Sequence, residues 1–437
     1  MTKKNNNYIN NSIWILAEKA SRIISGILVG VLVARFLGKE QFGIISYALS
    51  VLSIFTVFST LGLDGIVVRE LITEKKKKYD IIGTTFWLRF IGSFLVVLAS
   101  TYYSFIRDPS DRTWIVFLVS IAVVFQSFSV IDFYFQSEVK GKFNAITQIV
   151  TLIISAIVKL VLIYLEAPLS WFASMVMLEA ILTAINQLVF YKQNQQEVSK
   201  WKFSLSEAKR LLSHSWPIII SAFMQMIYQQ ADKILIARYL QDMGMVGQYS
   251  AATRISEASF FIPVALSAAL FPGIINNREN KPLQLKRLTQ IYSLMIWSAL
   301  IISIGGYLLG DWVIGFLYKD GFPLAPEIFK IHIWITIPVF FGTAWGSWLL
   351  ALNKQKLITI YQVLVLIFIL ALEMYMIPKY GIKGAAYSVV FSYLLSLLAI
   401  IFVYKPKESA MLFISALNPK NLFDVYKYWK EMKSLKE

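Results

Sequence analysis

The sequence predicts an all-α membrane protein with 12 transmembrane helices in two six-helix lobes, related by a pseudo-two-fold axis along the membrane normal. Three observations predict this class. Hydrophobic residues make up 57% of the 437 residues and charged residues only 16%, which is more apolar surface than a water-soluble fold covers. Twelve apolar stretches reach the length of about 20 residues that a helix needs to cross the hydrocarbon. Lysine and arginine are concentrated in every second connection between these stretches.

Each predicted span is one of these apolar stretches, and none shows the period-2 alternation of a membrane barrel strand. Helices are therefore the remaining structure that can span a bilayer. In the first half of the chain the predicted spans are 11–36, 43–67, 81–104, 113–136, 143–165 and 169–191. In the second half they are 211–237, 246–273, 288–309, 327–352, 357–377 and 384–404.

The distribution of lysine and arginine predicts the orientation. With the N-terminus placed in the cytoplasm, the inner connections hold the run Lys75–Lys78 and most of the other basic residues outside the spans. Because basic residues favour the cytoplasmic side, both termini are expected in the cytoplasm of a multi-pass protein of the bacterial plasma membrane. The net charge of +16 then reflects topology and attraction to anionic inner-leaflet lipid, not nucleic-acid binding.

The two halves of the chain repeat one another. Residues 34–48 read A-R-F-L-G-K-E-Q-F-G-I-I-S-Y-A, and residues 237–252 read A-R-Y-L-Q-D-M-G-M-V-G-Q-Y-S-A-A. Because each half contains six spans, both halves enter the membrane in the same direction, which gives a two-fold axis along the membrane normal. The predicted domains are a first lobe, a cytoplasmic amphipathic linker, a second lobe and a basic amphipathic tail, at 8–192, 193–210, 211–404 and 405–437.

Several function classes are excluded or disfavoured. The chain has no cysteine, so disulfides, thiolate metal sites and cysteine catalysis are excluded. No G-x-x-x-x-G-K-[ST] loop is present, which argues against ATP hydrolysis. No carboxylate or histidine cluster forms an obvious active centre, so we expect a protein that is not an enzyme and has no cofactor, apart from a coupling H⁺ or Na⁺.

Polar residues form stripes along spans one, two, seven and eight, which are corresponding helices of the two repeats. Charges inside a span cost about 2.5–3.5 kcal/mol each, so these faces are expected to line a hydrated central slot. The stripes contain Glu18, Arg22, Ser25, Asp64, Ser221, Gln225, Gln229, Asp232, Ser250, Arg254 and Glu257. Other charges inside spans are Arg89, Lys159, Glu179 and Glu373. Near span ends, Lys19, Asp132, Lys233 and Lys330 are expected to reach the interface by snorkelling.

Two segments resemble a known family. S-W-P-I-I-I-S at 215–221, followed by V-G-Q-Y-S-A-A-T-R at 246–254, is similar to the mid-chain signature of bacterial polysaccharide flippases (O-antigen and capsule type, Wzx-like). These belong to the multidrug/oligosaccharidyl-lipid/polysaccharide exporter (MOP) superfamily. The opening W-I-L-A-E-K-A-S-R-I-I-S-G at 14–26 agrees, and the resemblance covers residues 8–405.

The resemblance implies a flippase that works by alternating access. It would move undecaprenyl-diphosphate-linked oligosaccharide from the inner to the outer leaflet for surface polysaccharide biosynthesis. The implied partners are this substrate, membrane lipids, a polysaccharide polymerase and other assembly-pathway proteins. The predicted substrate-binding residues are Arg22, Arg89, Lys159, Arg254, Glu18, Gln225 and Gln229. The resemblance also suggests cation coupling at Asp64, Asp232 and Glu373.

Alternatives remain at this level. The ion pairs Glu18–Arg22 and Arg254–Glu257 would neutralise these arginines, whereas Arg89 and Lys159 have no obvious partner on their own helices. A drug or organic-cation exporter of the same superfamily would depend more on acidic residues. A membrane glycosyltransferase or polymerase acting on the same lipid carrier is a third reading, disfavoured because the outer loops are short.

Overall fold

The computed structural model describes residues 2–107, 111–275, 280–352, 354–403 and 406–421, and these residues form α-helices and short 3₁₀ segments without a strand. The helices of the first half are α1 (Thr2–Thr60), α2 (Asp64–Thr73), α3 (Lys78–Arg107), α4 (Asp111–Ser120), α5 (Ala122–Gln126), α6 (Val130–Ser137), α7 (Gly141–Tyr164) and α8 (Leu169–Gln193). The helices of the second half are α9 (Leu205–Leu240), α10 (Met243–Glu257), α11 (Phe261–Ile275), α12 (Lys281–Tyr318), α13 (Ala325–His332), α14 (Thr336–Ala351), α15 (Gln355–Val403) and α16 (Pro406–Ala416).

Two of the helical stretches are too long for a single crossing, and each is broken at a glycine. Gly38 within α1 has φ 69° and ψ 174°, and Gly381 within α15 has φ 59° and ψ −142°. Glycine adopts positive φ without the steric cost that a Cβ brings. Each stretch therefore consists of two helices joined at a sharp break, and the breaks fall between the predicted spans one and two and between eleven and twelve.

Eight stretches of the described chain are long and apolar enough to cross a membrane. They are 17–73, 75–107, 112–137, 141–164, 169–193, 282–321, 325–350 and 356–399. The first and last contain 57 and 44 residues, whereas a crossing takes about 20 residues. The predicted spans seven and eight lie in α9 and in α10–α11, which are not among the eight. The chain is thus a multi-pass membrane protein, and the number twelve stays a prediction.

The helices pack into two units. One comprises the described residues of 1–237 with 242–247, and the other comprises the described residues of 238–241 with 248–437. The predicted linker and most of α9 pack with the first unit. Residues 193–204 include a 3₁₀ turn, Val198–Lys200, and α9 begins at Leu205. Ser204 Oγ accepts a hydrogen bond from the backbone N–H of Glu207 at 3.4 Å, as in an N-terminal cap. The predicted apolar face of the tail, residues 422–432, lies outside the described residues.

Each unit has its own buried cluster. In the first, Tyr134, Phe135, Tyr191 and Leu211 pack together with residues of α2 and α3. In the second, Tyr292, Phe341, Trp345 and Leu412 pack around α12 and α14. Many large apolar side chains point outward instead, such as Leu98 and Leu308. In lipid such outward residues need no cover, and helix packing depends on close van der Waals contact.

Short 3₁₀ segments interrupt two spans just before a proline. Ala258–Phe260 precedes Pro263, and Ile333–Ile335 precedes Pro338. Proline lacks an N–H and its ring clashes with the carbonyl four residues earlier, which breaks the regular helix. Pro217 lies inside α9 without such an interruption. The spans that contain Pro263 and Pro338 are therefore each divided into two helices.

Two repeat-related glycines make a reciprocal close contact within the first unit. A Cβ on Gly43 would overlap the carbonyl oxygen of Met243, and a Cβ on Gly247 would overlap the carbonyl oxygen of Lys39. Gly43 and Gly247 occupy equivalent places in the two repeats, and so do Lys39 and Met243. The segments that start the second and eighth predicted spans therefore meet backbone to backbone. The glycine of each segment packs against a backbone carbonyl of the other segment.

Candidate functional site

Three predicted basic ligands of the first unit lie in ion pairs. Arg22 Nη2 is 2.6 Å from Glu18 Oε1 on the same helix. Arg89 Nη1 donates to Asp64 Oδ1 at 3.0 Å. Lys159 Nζ donates to Glu179 Oε1 at 2.6 Å. The alternative that Arg22 pairs with Glu18 is thus realised, and the partners of Arg89 and Lys159 come from neighbouring helices.

These ion pairs surround a cavity of about 430 Å³ in the first unit. Helices α1, α3 and α5–α8 contribute its lining residues, and it is open on one side. Its walls carry four charged residues, Arg22, Arg89, Asp132 and Glu179, and one aromatic ring, Phe125. The remaining lining residues are Gln126, Ser129, Gln148, Thr151, Leu152, Val176, Ala180, Thr183 and Gln187. Cavities of ~300–1,000 Å³ with a few convergent polar groups are typical of small-molecule sites.

Arg89 is the most buried charge of this cavity, with 5% of its surface exposed. Its guanidinium lies 5.4 Å from the centroid of the Phe133 ring, a distance at which a cation and an aromatic face attract. Its Nε is buried and has no hydrogen-bond partner. Since Asp64 is bound through Nη1, Nε–H remains available to a further acceptor. A buried donor without a partner is costly, and such a group points to a ligand.

Asp132 also lines the cavity, and the prediction that it snorkels to the interface is wrong. Its carboxylate accepts a hydrogen bond from Asn144 Nδ2 of α7. Glu18, Asp64 and Arg89 are the charged groups that act on it. Aspartate has a single methylene, so its side chain cannot extend along a helix as lysine and arginine do. Among the described residues it forms no ion pair.

The other predicted residues lie along α9, α10 and α15. Asp232 is buried and accepts from the backbone N–H of Lys233 at 2.7 Å. Gln225 is partly buried, whereas Gln229 and Arg254 are exposed. Glu373 is fully buried in the second unit. None of these five is among the described residues that line the cavity, so their roles stay predictions.

A second set of charges joins the predicted linker to the loop before α3. Arg210 contacts Glu70, Glu74 and Glu207, and Lys77 Nζ lies 2.9 Å from Glu74 and 3.2 Å from Glu207. The hydrogen bond from Lys77, followed by that from Arg210, holds the pKa of the Glu74 carboxyl below its ordinary value. This network fixes the start of α9 against the end of α2.

Sequence reasoning missed the polar faces of the fifth and sixth spans. On α7 the residues Gln148, Thr151 and Ser155 follow one another in steps of three and four. On α8 the residues Glu179 and Thr183 are four apart, and Gln187 is a further four along. Residues three or four apart share one helical face. This spacing was the signal that could have predicted a polar cavity inside the first lobe.

Chemically, the cavity offers hydrogen-bond donors and acceptors inside a segment that crosses the membrane. Side-chain amides and hydroxyls supply both functions, Arg89 supplies a free N–H, and carboxylate oxygens of Asp132 and Glu179 accept. Such a lining can hold a polar group away from lipid, as passage of a hydrophilic molecule across a bilayer requires.

The chain is similar to a protein family, to one sequence relative and to two solved structures. The family described as polysaccharide biosynthesis protein matches residues 9–278. A Shigella flexneri protein named "Putative O-antigen transporter" is 23% identical over 399 residues, covering 87% of this chain and 93% of that protein. The structure of lipid II flippase MurJ in an inward closed conformation is similar with a TM-score of 0.72 at 16% identity, over 96% of this chain and 93% of that one.

A multidrug resistance MATE family transporter of the MOP superfamily, in its inward-facing conformation, has a TM-score of 0.62 at 11% identity. That similarity covers 90% of this chain and 95% of the transporter. At these identities the two solved structures establish the fold alone. The chain thus shares the fold of these two membrane proteins.

Proposed function

The chain belongs to the polysaccharide biosynthesis protein family, and from this premise we propose that it is a flippase for undecaprenyl-diphosphate-linked oligosaccharide. It moves the repeat unit from the inner to the outer leaflet of the bacterial cytoplasmic membrane by alternating access. A polymerase and other assembly-pathway proteins then use the exported unit. The "Putative O-antigen transporter" that the chain resembles and the fold shared with a lipid II flippase support this proposal.

One observation carries the proposal: a buried arginine with an unpartnered N–H lines a polar cavity inside a membrane-spanning unit. Arg89 is held in place by Asp64 and by the ring of Phe133. A charge is placed in lipid only at a cost, which a bound polar ligand offsets. The substrate is proposed to contact Arg22, Arg89, Lys159, Arg254, Glu18, Gln225 and Gln229.

The topology belongs to the same proposal. Twelve spans form two six-helix lobes, 8–192 and 211–404, with the linker 193–210 and the tail 405–437 at the cytoplasmic face. The reciprocal contact of Gly43 and Gly247 supports a local two-fold relation between the repeats. A contact of backbone against backbone is close and involves no long interdigitating side chains. Such a contact suits a gate that has to close and open in each transport cycle.

The energy source is proposed to be the membrane potential. Moving one charge through 100 mV is worth about 2.3 kcal/mol, so a diphosphate with two negative charges gains roughly 4–5 kcal/mol on outward transfer through the whole field. Coupling to H⁺ or Na⁺ would add to this, with Asp64, Asp232 and Glu373 as the carriers. The burial of Asp232 and Glu373 supports that role, since buried carboxylates are sensitive to proton or cation binding.

Single replacements of Arg22, Arg89 and Arg254 by Ala test the function in a deletion strain. We expect surface polysaccharide to be lost while the amount of membrane-inserted protein stays normal. Arg107→Ala, an exposed arginine at the end of α3, is the matched control and should restore polysaccharide. Normal polysaccharide in all three variants, or in the deletion strain itself, would refute the proposed role.

A cation exporter is the second candidate, and a specific observation favours it. Asp132 and Glu179 both face the cavity, and carboxylates attract organic cations. A drug-susceptibility screen of the deletion strain separates the two functions. Increased sensitivity to several cationic drugs with intact surface polysaccharide would replace the flippase proposal.

A further inference from the structure

The cavity of the first unit has a lining suited to one part of the substrate. Six of its residues are neutral and carry amides or hydroxyls: Gln126, Ser129, Gln148, Thr151, Thr183 and Gln187. Each of these groups both donates and accepts hydrogen bonds. A ligand with many hydroxyls also does both, so it satisfies such a wall from any orientation. A diphosphate only accepts hydrogen bonds, so the amide and hydroxyl oxygens of this wall would receive no hydrogen bond from it.

The charges of the cavity do not favour an anion. Arg22 is neutralised by Glu18, and Lys159 by Glu179. Asp132 has no ion pair among the described residues, but the nearby charge of Arg89 is opposite to its own, so the walls, with two basic and two acidic residues, hold no excess of positive charge to attract an anion. A diphosphate in this space would lie close to the carboxylates of Asp132 and Glu179, with repulsion that a low-dielectric surrounding strengthens. Sugar hydroxyls would instead donate to the same carboxylate oxygens.

Arg89 completes this pattern. Its Nε–H is buried and without a partner on the cavity wall, so it requires one acceptor. A ring oxygen, a hydroxyl or the carbonyl of an N-acetyl group supplies that acceptor without adding charge. Phe125 and Leu152 add apolar surface beside the polar groups. The C–H face of a sugar ring packs against such surface while its hydroxyls reach the polar side chains.

We propose that this cavity is a sugar-binding subsite. It holds neutral sugar residues of the lipid-linked oligosaccharide, and the diphosphate lies outside it. The inference rests on the proposed flippase function for the identity of the substrate. It assigns Arg89, Asp132 and Gln148 to sugar recognition, and it assigns to Asp132 the rejection of acidic sugars, because a uronate would meet its negative charge.

The chain has no cysteine, so one introduced thiol reports on the cavity directly. Thr183→Cys places that thiol on the cavity wall, and Ser170→Cys places one near the start of the same helix, outside the cavity. Both positions are partly buried. The purified full-length variants, in lipid nanodiscs, react with a neutral thiol reagent. The rate is measured with galactose, glucose, N-acetylglucosamine or glucuronate, and with inorganic pyrophosphate at equal ionic strength.

We expect a neutral sugar to slow labelling of Thr183→Cys about twofold when its concentration equals its Kd, because half of the cavities are then occupied. Glucuronate and pyrophosphate should not slow it, and the rate at Ser170→Cys should not change. Adding Asp132→Asn should weaken protection by the neutral sugars and allow protection by glucuronate.

Protection by pyrophosphate, or by none of the neutral sugars, overturns the subsite. Unchanged sugar selectivity in Asp132→Asn overturns the role of Asp132. The measurement uses purified protein without the lipid carrier, so its result is separate from the polysaccharide phenotype of the deletion strain. Failure of the subsite and failure of the flippase proposal are thereby distinguished.

Discussion

Replacing Arg89 with Met separates the contribution of this residue to stability from its contribution to export. Arg89 is 5% exposed, whereas the side chain of its partner Asp64 is 65% exposed. Removing one member of a fully buried ion pair costs about 3–5 kcal/mol, because the other member is left buried and unpaired. Here the residue left behind is the exposed one, and water solvates it. Loss of the ion pair with Asp64 therefore costs about as much as loss of a surface ion pair, about 0–1 kcal/mol.

Met keeps most of the length of the arginine stem and its contact with Phe133. The lost cation–π attraction, about 0.5–2 kcal/mol, is offset because the uncharged side chain no longer carries an unpartnered N–H into the interior. We expect the free energy of unfolding to change by about 1 kcal/mol, which for a unit of this size corresponds to about 2–4 °C in Tm. Export of polysaccharide should be lost.

The assay pairs thermal unfolding of the purified variant with surface polysaccharide measured at equal protein level. Asp64→Asn is the comparison, since it keeps Arg89 and a neutral acceptor. The ion pair then becomes a hydrogen bond from the charged guanidinium to a neutral amide oxygen, with a loss of about 0–1 kcal/mol. A fall in Tm of 10 °C or more for Arg89→Met would correspond to about 3 kcal/mol or more of lost stability. If polysaccharide also fell only in proportion to the amount of protein, the role of Arg89 would be purely structural.

Three further predictions test other parts of the structure. Gly43→Ala should reduce both folding yield and export, because its Cβ would overlap a backbone carbonyl oxygen. Gly26→Ala is the control and should be tolerated, since nothing lies within 4 Å of that Cβ. Normal export by Gly43→Ala would contradict the close contact. The folded-state pKa of Glu74 is lowered, so its stabilising effect is present above the ordinary value of 4.5 and is lost as pH falls through the folded value. Limited proteolysis of residues 193–204 should therefore increase in acid, and Glu74→Gln should show high cleavage already at neutral pH; equal cleavage of both proteins at neutral pH would argue against this. In a double-mutant cycle of unfolding, Lys159→Met and Glu179→Gln should couple by about 0.5–1 kcal/mol, and additive effects would argue against their ion pair.

The helical membrane fold could be predicted because the length of the apolar stretches and the charges of the loops are local properties of the sequence. A crossing requires about 20 apolar residues wherever the helix packs. The breaks at Gly38 and Gly381 lie where the sequence predicted connections between spans. The division into units was harder to predict, because α9 follows the linker in sequence but packs with the first unit. Sequence repeats identify equivalent helices without specifying which helices touch.

The candidate site was predicted in part. Arg22, Arg89, Lys159 and Glu179 were singled out as charges within spans, and the structure places them around one cavity or in contact with its lining. Their pairing across helices could not be predicted, because periodicity gives the face of a helix but not the neighbour that it meets. Asp132 was misjudged for the same reason: its partner Asn144 lies on another helix.

The pairing of the charges also bears on how the chain enters the membrane during synthesis. Arg22 and Glu18 are one turn apart on a single helix, Asp64 and Arg89 lie on the consecutive helices α2 and α3, and Lys159 and Glu179 lie on the consecutive helices α7 and α8. Each pair can therefore form as soon as one helix, or two consecutive helices, have left the ribosome. A lone charge would cost about 2.5–3.5 kcal/mol at the bilayer centre during insertion. A nascent hairpin that carries both charges can neutralise them before it leaves the translocon, without waiting for the rest of the protein.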